Sequence, residues 1–468
     1  MKTAVVTMTD PGYIPGTLCL YHSVKETGYT GDFVVIHDGS LSQIERKILL
    51  NYGCKLVERP SIVNPITLQD AKASNKTLMA QRWTQTPIYS KLNTWTLTQY
   101  DKVLFVDSDI IFHKEFSHVL GMPMKPGWIA AVEIPISTMN QSCLELFNSG
   151  VFLTCPSDKI FHDMMEKIHT IDSYDCGDQG FLSSYFKNRV VYLSSSMNMS
   201  KRGTSKEIEC SRSIHYLNLP KPWHGTPETQ SSRGEVIPEE IKTKTPIYNA
   251  WWRCYTDCIN SYWANVVPSI KELNNIVYTP DEKVEGNVYY HHLTDGSSIT
   301  PLFEYKRHKL FELAKRSKSV LEIGINGGHS ALTMFTANPD ISYHGFDIGH
   351  HKYTQPVVDW LVKKYKKVSY HVGDSKLTVP NFNKKIKFDL IHVDGSHSVE
   401  SAHRDITNCK RLAHKHTILL FDDCNIQGVM GPKLLRLWDN LIKSKYIKEL
   451  PEWNNHQQLW DSRVGVYI

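Results

Sequence analysis

The stretch KVLFVDSDIIF, residues 102–112, joins a short apolar run to two acidic residues. The run has the length and the Val, Leu and Phe content of a buried strand. Positions i and i+2 of extended backbone face the same side, so the carboxylates of Asp107 and Asp109 can reach one divalent cation. A D-x-D pattern alone is weak evidence, because a solvated strand end can carry the same residues. The surrounding sequence must therefore decide between these readings.

The N-terminal half alternates short apolar runs with segments of helical period such as residues 42–52. This alternation predicts a mostly parallel sheet covered by helices, in which nucleotides bind at the carboxyl ends of strands. An aromatic-rich helix at 248–273 is expected to close a first domain of residues 1–272. The other strand-like runs of this domain are residues 3–9, 32–37 and 128–132.

A second alternating pattern begins at Tyr305, and it predicts a separate doubly wound domain at residues 301–468. Residues 273–300 contain proline and glycine with little periodicity, which indicates a linker or a short covering segment. The fold class is therefore α/β, with two doubly wound domains. The strand-like runs of the second domain are residues 320–323, 343–347, 368–372, 388–393 and 417–421.

The composition of the 468 residues, with 41% hydrophobic and 22% charged, is that of ordinary globular protein. The formal charge of +5 is small and the basic residues are scattered, which argues against a nucleic-acid partner. No stretch approaches the roughly 20 apolar residues of a membrane span. The ten cysteines are dispersed, as expected of reduced thiols in a cytoplasmic protein. The sequence leaves a homodimer open.

Several stretches accompany the acidic strand end in a fixed order along the chain. They are TMTDPGYIPG at 7–16, SKLNTWTLTQY leading into the acidic pair, FNSGVF at 147–152, YDCGDQG at 174–180 and IHYLNLPKPW at 214–223. Together they resemble the glycogenin-like members of glycosyltransferase family eight over roughly residues 1–270. The resemblance implies a nucleotide-sugar-binding domain of the GT-A type, a retaining transfer from a UDP-sugar, with UDP-glucose expected, and Mn²⁺ or Mg²⁺ as cofactor.

The resemblance also implies roles for single residues. His215 would be the third metal ligand beside Asp107 and Asp109, and imidazole does suit Mn²⁺. Asp178 would stabilise positive charge on the reacting sugar, with Gln179 beside it. The residues expected to hold the donor are Tyr13 on the uracil, Lys91 near the sugar and phosphates, Asn148, Ser149 and Gly150 along the sugar, Asp175 and Gly177 around its reacting carbon, and Lys221 on the diphosphate.

Two departures from the family pattern carry consequences. Asn218 stands where the family has glycine, so one backbone amide near the phosphates is expected to be displaced. The stretch SSSMNMSKRG at 194–203 contains no tyrosine, although glycogenin carries its self-glucosylated tyrosine there. A separate glycan or glycoconjugate acceptor is therefore expected, and a self-priming starter is disfavoured.

The second domain opens with SVLEIGINGGHS at 319–330, a strand that turns into a helix through glycines. Glu322, Gly324 and Gly328 resemble the first motif of class I methyltransferases, which implies S-adenosylmethionine as cofactor, although Asn326 replaces the middle glycine. Asp347 ends the next strand and suits the ribose hydroxyls. Relatives contact the adenine at the positions of Asp374 and Ser375.

Three carboxylates end neighbouring strands further on: Asp394 in FDLIHVDGSH, and Asp422 and Asp423 in TILLFDDCN. They make an oxygen-rich site suited to Mg²⁺. The pattern resembles metal-dependent O-methyltransferases such as catechol O-methyltransferase over roughly residues 300–468. His397 is the candidate general base, because its ordinary pKa lies near neutrality. A surface-loop histidine remains the alternative.

The leading hypothesis is a bifunctional enzyme that adds a sugar and methylates a hydroxyl, expected on the growing glycan. A second reading keeps the glycosyltransferase and makes the C-terminal domain a non-catalytic scaffold. The intact Asp394, Asp422 and Asp423 argue against that loss of catalysis.

Overall fold

The computed structural model describes residues 1–74, 81–134, 146–224, 245–279, 282, 284, 287–290, 299–424, 429–454 and 462–468. Internal contacts divide the chain into two compact units. The first comprises Met1–Leu41 and Glu45–Cys258, and the second comprises Ser42–Ile44 and Ile259–Ile468. Within the described part of the chain, no helix combines the length and apolarity needed to cross a membrane.

The first unit contains a seven-stranded sheet of order β3-β2-β1-β4-β7-β6-β8 and a small sheet of order β5-β10-β9. In the larger sheet only β7 runs antiparallel to its neighbours. The strands are β1 (Thr3–Met8), β2 (Asp32–His37), β3 (Lys55–Glu58), β4 (Lys102–Val106), β5 (Ile110–Phe112), β6 (Ile129–Glu133), β7 (Phe147–Thr154), β8 (Val190–Leu193), β9 (Met199–Ser200) and β10 (Ser213–His215).

Every residue of β4 is buried, as expected of a central strand covered on both faces. Its Phe105 stacks on Phe152 of β7 at 4.9 Å between ring centroids, and Trp95 stacks on the same ring at 5.2 Å. Truncating such a buried ring to alanine costs roughly 3–5 kcal/mol. The helices of the N-terminal half are α1 (Ile14–Glu26), α2 (Gln43–Tyr52), α3 (Leu68–Ala73), α4 (His118–Gly121), α5 (Asp158–Lys167), α6 (Asp178–Tyr185), α7 (Ser205–Cys210) and α8 (Thr245–Tyr262).

The second unit contains a seven-stranded sheet of order β13-β12-β11-β14-β15-β17-β16. Its first five strands are parallel and β17 is antiparallel to both neighbours, so the polar ends of the parallel strands meet at one edge. The strands are β11 (Ser319–Ile323), β12 (Ser342–Asp347), β13 (Val368–Val372), β14 (Phe388–Val393), β15 (Ala413–Phe421), β16 (Ile447–Glu449) and β17 (Arg463–Tyr467).

Helices cover this sheet, and α15 buries Trp438 against Phe421 with ring centroids 6.1 Å apart. The helices are α9 (Val267–Val277), α10 (Glu304–Ala314), α11 (His329–Ala337), α12 (Thr354–Lys364), α13 (Ser375–Asn381), α14 (Val399–Cys409) and α15 (Gly431–Lys443). The two sheets, each with helices around it, confirm the predicted α/β class with two domains.

The helix α9 includes the start of the expected linker, and its Glu272 accepts a hydrogen bond from Trp360 Nε1 at 3.0 Å. Lys364 of α12 lies 2.9 Å from the same carboxylate, so α9 packs on α12 within the second unit. The sequence-based bounds of 1–272, 273–300 and 301–468 stay a prediction. Much of the expected linker, at 280–281, 283, 285–286 and 291–298, lies outside the described residues.

Candidate active sites

Two carboxylates and an imidazole meet beyond the end of β4. Asp107 follows β4, Asp109 precedes β5, and β5 pairs antiparallel with β10, which ends at His215. His215 Nε2 lies 3.2 Å from Asp109 Oδ1 and 3.8 Å from Asp107 Oδ2. One ligand atom from each of the three residues lies within 4.8 Å of the others, a separation that one metal ion can bridge. The structure therefore brings the three predicted metal ligands together.

Two buried lysines neutralise these carboxylates. Lys91 Nζ lies 3.0 Å from Asp107 Oδ1 and 2.9 Å from Asp178 Oδ2. Lys221 Nζ contacts Asp109 Oδ2 and donates to the carbonyl of Tyr216 at 3.1 Å. An uncompensated buried charge costs several kcal/mol. The lysines therefore offset the mutual repulsion of the carboxylates.

The surroundings shift the pKa values of the two carboxyl groups in opposite directions. Burial, reinforced by the charge of Asp109, raises the pKa of Asp107. Burial also acts on Asp109, but the attraction of His215 and Lys221 outweighs it and holds the pKa of Asp109 below its ordinary value. Asp109 is therefore ionised at neutral pH, as a cation ligand must be.

The residues expected around the donor sugar lie at the same sheet edge, because β7 runs antiparallel to β4 and begins there. Ser149 Oγ donates to Asp178 Oδ2 at 2.7 Å, and the Ser149 amide donates to Gln179 Oε1 at 3.4 Å. Lys91 Nζ donates to the Ser149 carbonyl at 3.1 Å. Ion pairs and hydrogen bonds therefore join the predicted catalytic Asp178 to the carboxylate cluster.

Asp175 shapes the turn that leads into α6. Its Oδ1 accepts from the amides of Gly177 at 2.9 Å and Gly180 at 3.0 Å, and from Ser173 Oγ at 2.9 Å. This carboxylate therefore orders the loop that presents Asp178 as the first residue of α6. That Asp175 lies close to the reacting carbon of the donor sugar remains a prediction.

Tyr13 borders the cation site from the N-terminal end of α1. Its ring meets Trp223 edge-on at 5.2 Å between centroids, and Trp223 Nε1 donates to the carbonyl of Gly12 at 2.9 Å. Lys221 Nζ lies 5.8 Å from the Tyr13 ring centroid. The predicted uracil-stacking ring and the predicted diphosphate lysine are thus neighbours.

Two positions in this site favour glycine, one because a side chain would not fit and one because of its backbone angle. A Cβ on Gly150 would stand 2.5 Å from His215 Cε1, so only glycine leaves room for the imidazole. Asn218 adopts φ 61°, in the left-handed region that favours glycine and that asparagine tolerates better than most residues. The chain thus keeps a glycine-like backbone at the departure from the family pattern.

The second site begins at the turn between β11 and α11. Gly324 has φ 93°, and a Cβ there would stand 2.0 Å from the Asp394 carbonyl oxygen. Asn326 at φ 47° and Gly328 at φ 71° complete the left-handed turn. Asp347, at the end of β12, accepts from the Asn326 amide at 2.9 Å. The predicted ribose-binding acid and the glycine-rich turn are therefore hydrogen-bonded to each other.

Glu322 lies inside the sheet rather than in the turn. His392 Nδ1 on β14 lies 2.8 Å from Glu322 Oε1, and the Tyr343 hydroxyl on β12 donates to Oε2. Both carboxylate oxygens are thus engaged across three strands, while the predicted cofactor role of Glu322 remains a prediction. In the structure, Glu322 links β11 to β14 and β12 through these two contacts.

Asp374 and Ser375 follow β13 at the same sheet edge. Asp374 Oδ1 accepts from the Lys376 amide at 2.9 Å and so caps α13, and Ser375 hydrogen-bonds to Asp405. The two predicted adenine contacts are therefore held by the start of one helix.

The three predicted metal-binding acids also converge. Asp394 follows β14, and Asp422 and Asp423 follow β15, its parallel neighbour. Ligand atoms of Asp394, Asp422 and His392 form one group within 4.8 Å, and those of Asp394, Asp423 and His397 form a second. Asp394 belongs to both groups, so the acids surround one compact site.

Two cationic groups face these acids. Lys306 Nζ on α10 lies 2.6 Å from Asp422 Oδ2 and 3.6 Å from Asp423 Oδ1. His397 Nε2 lies 2.7 Å from Asp423 Oδ2, and this hydrogen bond raises the pKa of His397 to about 9. Burial acts on Asp422 as well, but Lys306 and His392 outweigh it and keep the pKa of Asp422 low. His397 is therefore charged at neutral pH, contrary to the ordinary pKa on which its candidacy as a base rested.

Sequence reasoning did not identify Asn198, His392 or Lys306 as parts of these sites. His392 stands two residues before Asp394, and strand alternation could have placed both on one face. Burial on β14 opposes charging, but the Asp422 carboxylate, 3.8 Å from Nε2, and the Glu322 carboxylate, 2.8 Å from Nδ1, raise the pKa of His392 to about 10. Lys306 and Asn198 come from elements distant in sequence and carry no comparable signal.

Comparison with known proteins agrees with this geometry. Residues 4–226 match the profile of glycosyl transferase family 8, and residues 321–424 match that of a methyltransferase domain. The chain is 29% identical over 266 residues to the putative UDP-glucuronate:xylan alpha-glucuronosyltransferase 5 of Arabidopsis thaliana, covering 54% of this chain and 42% of that protein. It is 25% identical over 289 residues to human glycogenin-1, covering 58% of this chain and 74% of the relative.

Among solved structures, a putative O-methyltransferase from Klebsiella pneumoniae aligns with a TM-score of 0.30 at 15% identity, covering 43% of this chain and 89% of that one. The chain spans 42% of the length of the Arabidopsis relative. The matched segments coincide with the two acidic sheet edges, and the chain therefore carries a glycosyltransferase family 8 domain followed by a methyltransferase domain.

Proposed function

We propose that the first unit transfers a hexose from a UDP-sugar to a separate acceptor, with retention and with the help of a divalent cation. The observation that carries the proposal is the convergence of Asp107, Asp109 and His215 beside two buried lysines. Carboxylates and imidazole suit Mn²⁺ or Mg²⁺, and lysines suit phosphate. Asp107, Asp109 and His215 would hold the cation, which would supply positive charge to neutralise the leaving UDP.

The remaining residues of this site would orient and stabilise the sugar. Asp178 lies 2.9 Å from Lys91 and accepts from Ser149, which fixes the direction of its carboxylate. A fixed carboxylate near the reacting carbon stabilises positive charge that develops as the bond to UDP breaks. Gln179 accepts from the Ser149 amide through Oε1, and its Nε2 donates to the Tyr174 hydroxyl at 2.5 Å, which positions it beside Asp178.

Glucose is the proposed sugar, although several relatives are named for transfer of glucuronate. The sugar end of the pocket offers the neutral Asn148, Ser149 and Gln179 together with the negative Asp178. Lys91 is already paired with Asp107 and Asp178, so a glucuronate carboxylate would face Asp178 without a dedicated counter-ion in this cluster. An uncharged hexose avoids that repulsion.

The acceptor is proposed to be a glycan or glycoconjugate. Human glycogenin-1 is among the relatives, but the stretch 194–203 of this chain has no tyrosine for self-glucosylation. A glycogenin-type primer is therefore disfavoured.

The second unit is proposed to methylate a sugar hydroxyl. Asp347 and the turn at Gly324 and Gly328 form a polar end of the sheet suited to S-adenosylmethionine, which would supply the methyl group. Asp394, Asp422 and Asp423 are an oxygen donor set that fits Mg²⁺, and a cation there would hold the acceptor oxygen. His397 is the proposed base, once it has lost the proton shared with Asp423.

A non-catalytic scaffold is the second candidate for this unit. The direct test is turnover: UDP-glucose, UDP-glucuronate and S-adenosylmethionine are each incubated with a glycan mixture, with Mn²⁺, with Mg²⁺ or with a chelator. We expect transfer from UDP-glucose and methyl transfer only with a divalent cation. Full glycosyl transfer in chelator contradicts the first proposal, and absence of methyl transfer under all conditions favours the scaffold.

A further inference from the structure

A chain of hydrogen bonds links His215 to the donor-sugar side of the first site. His215 Nδ1 lies 2.8 Å from Asn198 Oδ1, and Asn198 Nδ2 lies 2.6 Å from Asn148 Oδ1. Asn148 Oδ1 also lies 2.8 Å from the backbone amide of Gly150. Asn198 thus stands between the imidazole at the cation site and a residue expected to line the sugar.

The direction of every bond in this chain follows from its last member. The Gly150 backbone amide can only donate, so the Asn148 atom facing it is the carbonyl oxygen. The Asn198 atom that meets the same oxygen must then be its amide nitrogen, which leaves the Asn198 oxygen facing His215. That oxygen can only accept, so the proton of His215 sits on Nδ1. Nε2 is then the ring nitrogen left for a metal ion, and it lies 3.2 Å from Asp109 Oδ1.

We propose that Asn198 is a positioning residue: it fixes the metal-binding tautomer of His215 and couples the cation site to the sugar pocket through Asn148. The inference rests on the proposed function of the first unit and deepens it. With Nδ1 bound to Asn198, Nε2 faces Asp107 and Asp109, so the relay directs to the cation site the nitrogen that a metal would take. Partners that orient a histidine ligand in this way also raise its basicity.

The backbone holds Asn198 and His215 in a fixed relation. Asn198 ends the short 3-10 helix at residues 195–198 and is followed by β9. β9 pairs with β10, with Ser200 opposite His215, and the Lys201 amide donates to the His215 carbonyl at 3.0 Å. Asn198 and its imidazole partner are therefore carried by the same small sheet.

The relay also determines what Asn148 can offer a sugar. Its oxygen already accepts two hydrogen bonds, from Gly150 and Asn198, so its Nδ2 is the group left to donate to a sugar hydroxyl. Loss of the Asn198 donor would leave the Asn148 oxygen held by the Gly150 amide and would loosen the side chain. We therefore expect Asn198 to affect binding of the sugar as well as of the metal.

Two variants separate the two ends of the relay. Asn198→Ala removes both contacts, whereas Asn198→Asp keeps an acceptor for His215 and removes the donor to Asn148. Ser194→Ala is the matched control, because Ser194 Oγ caps the same 3-10 helix without joining the relay. Calorimetry on the full chain measures the affinities for Mn²⁺ alone, and for UDP and UDP-glucose in the presence of Mn²⁺. Melting temperatures verify that each variant is folded.

We expect Asn198→Ala to weaken Mn²⁺ binding about 10- to 100-fold, the range for partners that orient metal ligands. Asn198→Asp should bind Mn²⁺ nearly as the native chain does and lose preference for UDP-glucose over UDP. Should Asn198→Ala fail to fold, Asn198→Asp alone decides by that same pattern. Native Mn²⁺ affinity in Asn198→Ala, or equal loss in both variants, overturns the inference alone. Absence of Mn²⁺ binding by the native chain overturns the proposed function and the inference together.

Discussion

The ammonium group of Lys306 lies 2.6 Å from Asp422 Oδ2, within the carboxylate cluster proposed to bind Mg²⁺. A tethered cation and a divalent ion would compete for the same oxygen. We predict that Lys306→Met tightens Mg²⁺ binding about tenfold or more, because the ion no longer displaces an ammonium group. The variant should also be less stable without Mg²⁺, since removal of one partner of a buried pair costs about 3–5 kcal/mol.

The measurement is calorimetric titration of Mg²⁺ together with the melting temperature with and without the ion. Lys315→Met, just beyond the end of the same helix and exposed, is the control. Weaker Mg²⁺ binding by Lys306→Met would show that the lysine supports the metal site instead of competing with the ion.

Asp347 provides a test of the methyltransferase site that leaves the first unit untouched. We predict that Asp347→Ala weakens S-adenosylmethionine binding about tenfold or more, because a charged acceptor for the ribose is lost and the bond to the Asn326 amide is broken. Binding of UDP should not change. Asp340→Ala, on the surface just before β12, serves as the control. Native affinity of Asp347→Ala for the methyl donor would remove this acid from the cofactor site.

The pKa of His397 predicts how methyl transfer depends on pH. The hydrogen bond to Asp423 raises the pKa to about 9, and only the neutral imidazole can accept a proton. The rate at fixed Mg²⁺ should therefore rise with pH and then level off, with a midpoint no higher than about 9, because a cation on Asp423 weakens the interaction that raises the pKa of His397. His397→Gln should be slow at every pH, whereas His403→Gln, exposed on α14, should keep the native profile. A profile unchanged by His397→Gln would exclude this histidine as the base.

Asp405 makes the stability of the second unit depend on pH. Burial raises its pKa to about 6, so the folded protein holds the proton more tightly than the unfolded chain, where the ordinary value is 3.8. The stabilisation is complete below the ordinary value and is lost as pH rises through about 6. Asp405→Asn should therefore be more stable than the native chain at neutral pH, by up to about 3 kcal/mol, and equally stable in acid.

Denaturant unfolding at acid and neutral pH measures that difference. The exposed Asp359→Asn of α12 should change neither value. A loss of stability in Asp405→Asn that is the same at both pH values would mean that the carboxylate acts through its shape or hydrogen bonds and not through its titration.

Periodicity predicted the two large sheets, and acids at strand ends together with the family resemblances predicted the two acidic edges. Asp107 and Asp109 were predictable as a D-x-D pair after a buried strand, although they lie in the turn between β4 and β5 and not on one strand; parallel strands bring Asp394 and Asp422 to one edge. Lys306 was not predictable, because α10 precedes its sheet and nothing local signals that its lysine faces Asp422. Asn198 was missed for a similar reason, since its contact with His215 depends on the pairing of β9 with β10.

Local sequence also does not determine the protonation and the contacts of individual side chains. His397 was chosen as the base because the ordinary pKa of histidine lies near neutrality. The hydrogen bond to Asp423 raises the pKa of His397 to about 9. Glu322 was assigned a cofactor role by its motif, which stays a prediction; the motif did not indicate that its oxygens contact His392 and Tyr343 within the sheet. Both results depend on side chains from other parts of the sheet, and the sequence of a single segment does not show these neighbours.

The central claim is that one chain carries two independent catalysts. Mass spectrometry of a glycan acceptor after incubation with UDP-glucose, S-adenosylmethionine and divalent cation tests it most directly. The native chain should add one hexose and one methyl group, Asp109→Ala should lose hexose transfer on that acceptor, and Asp422→Ala should lose only methylation of a supplied glycosylated acceptor. Loss of both activities in either variant, or product formation that neither variant affects, would contradict the account.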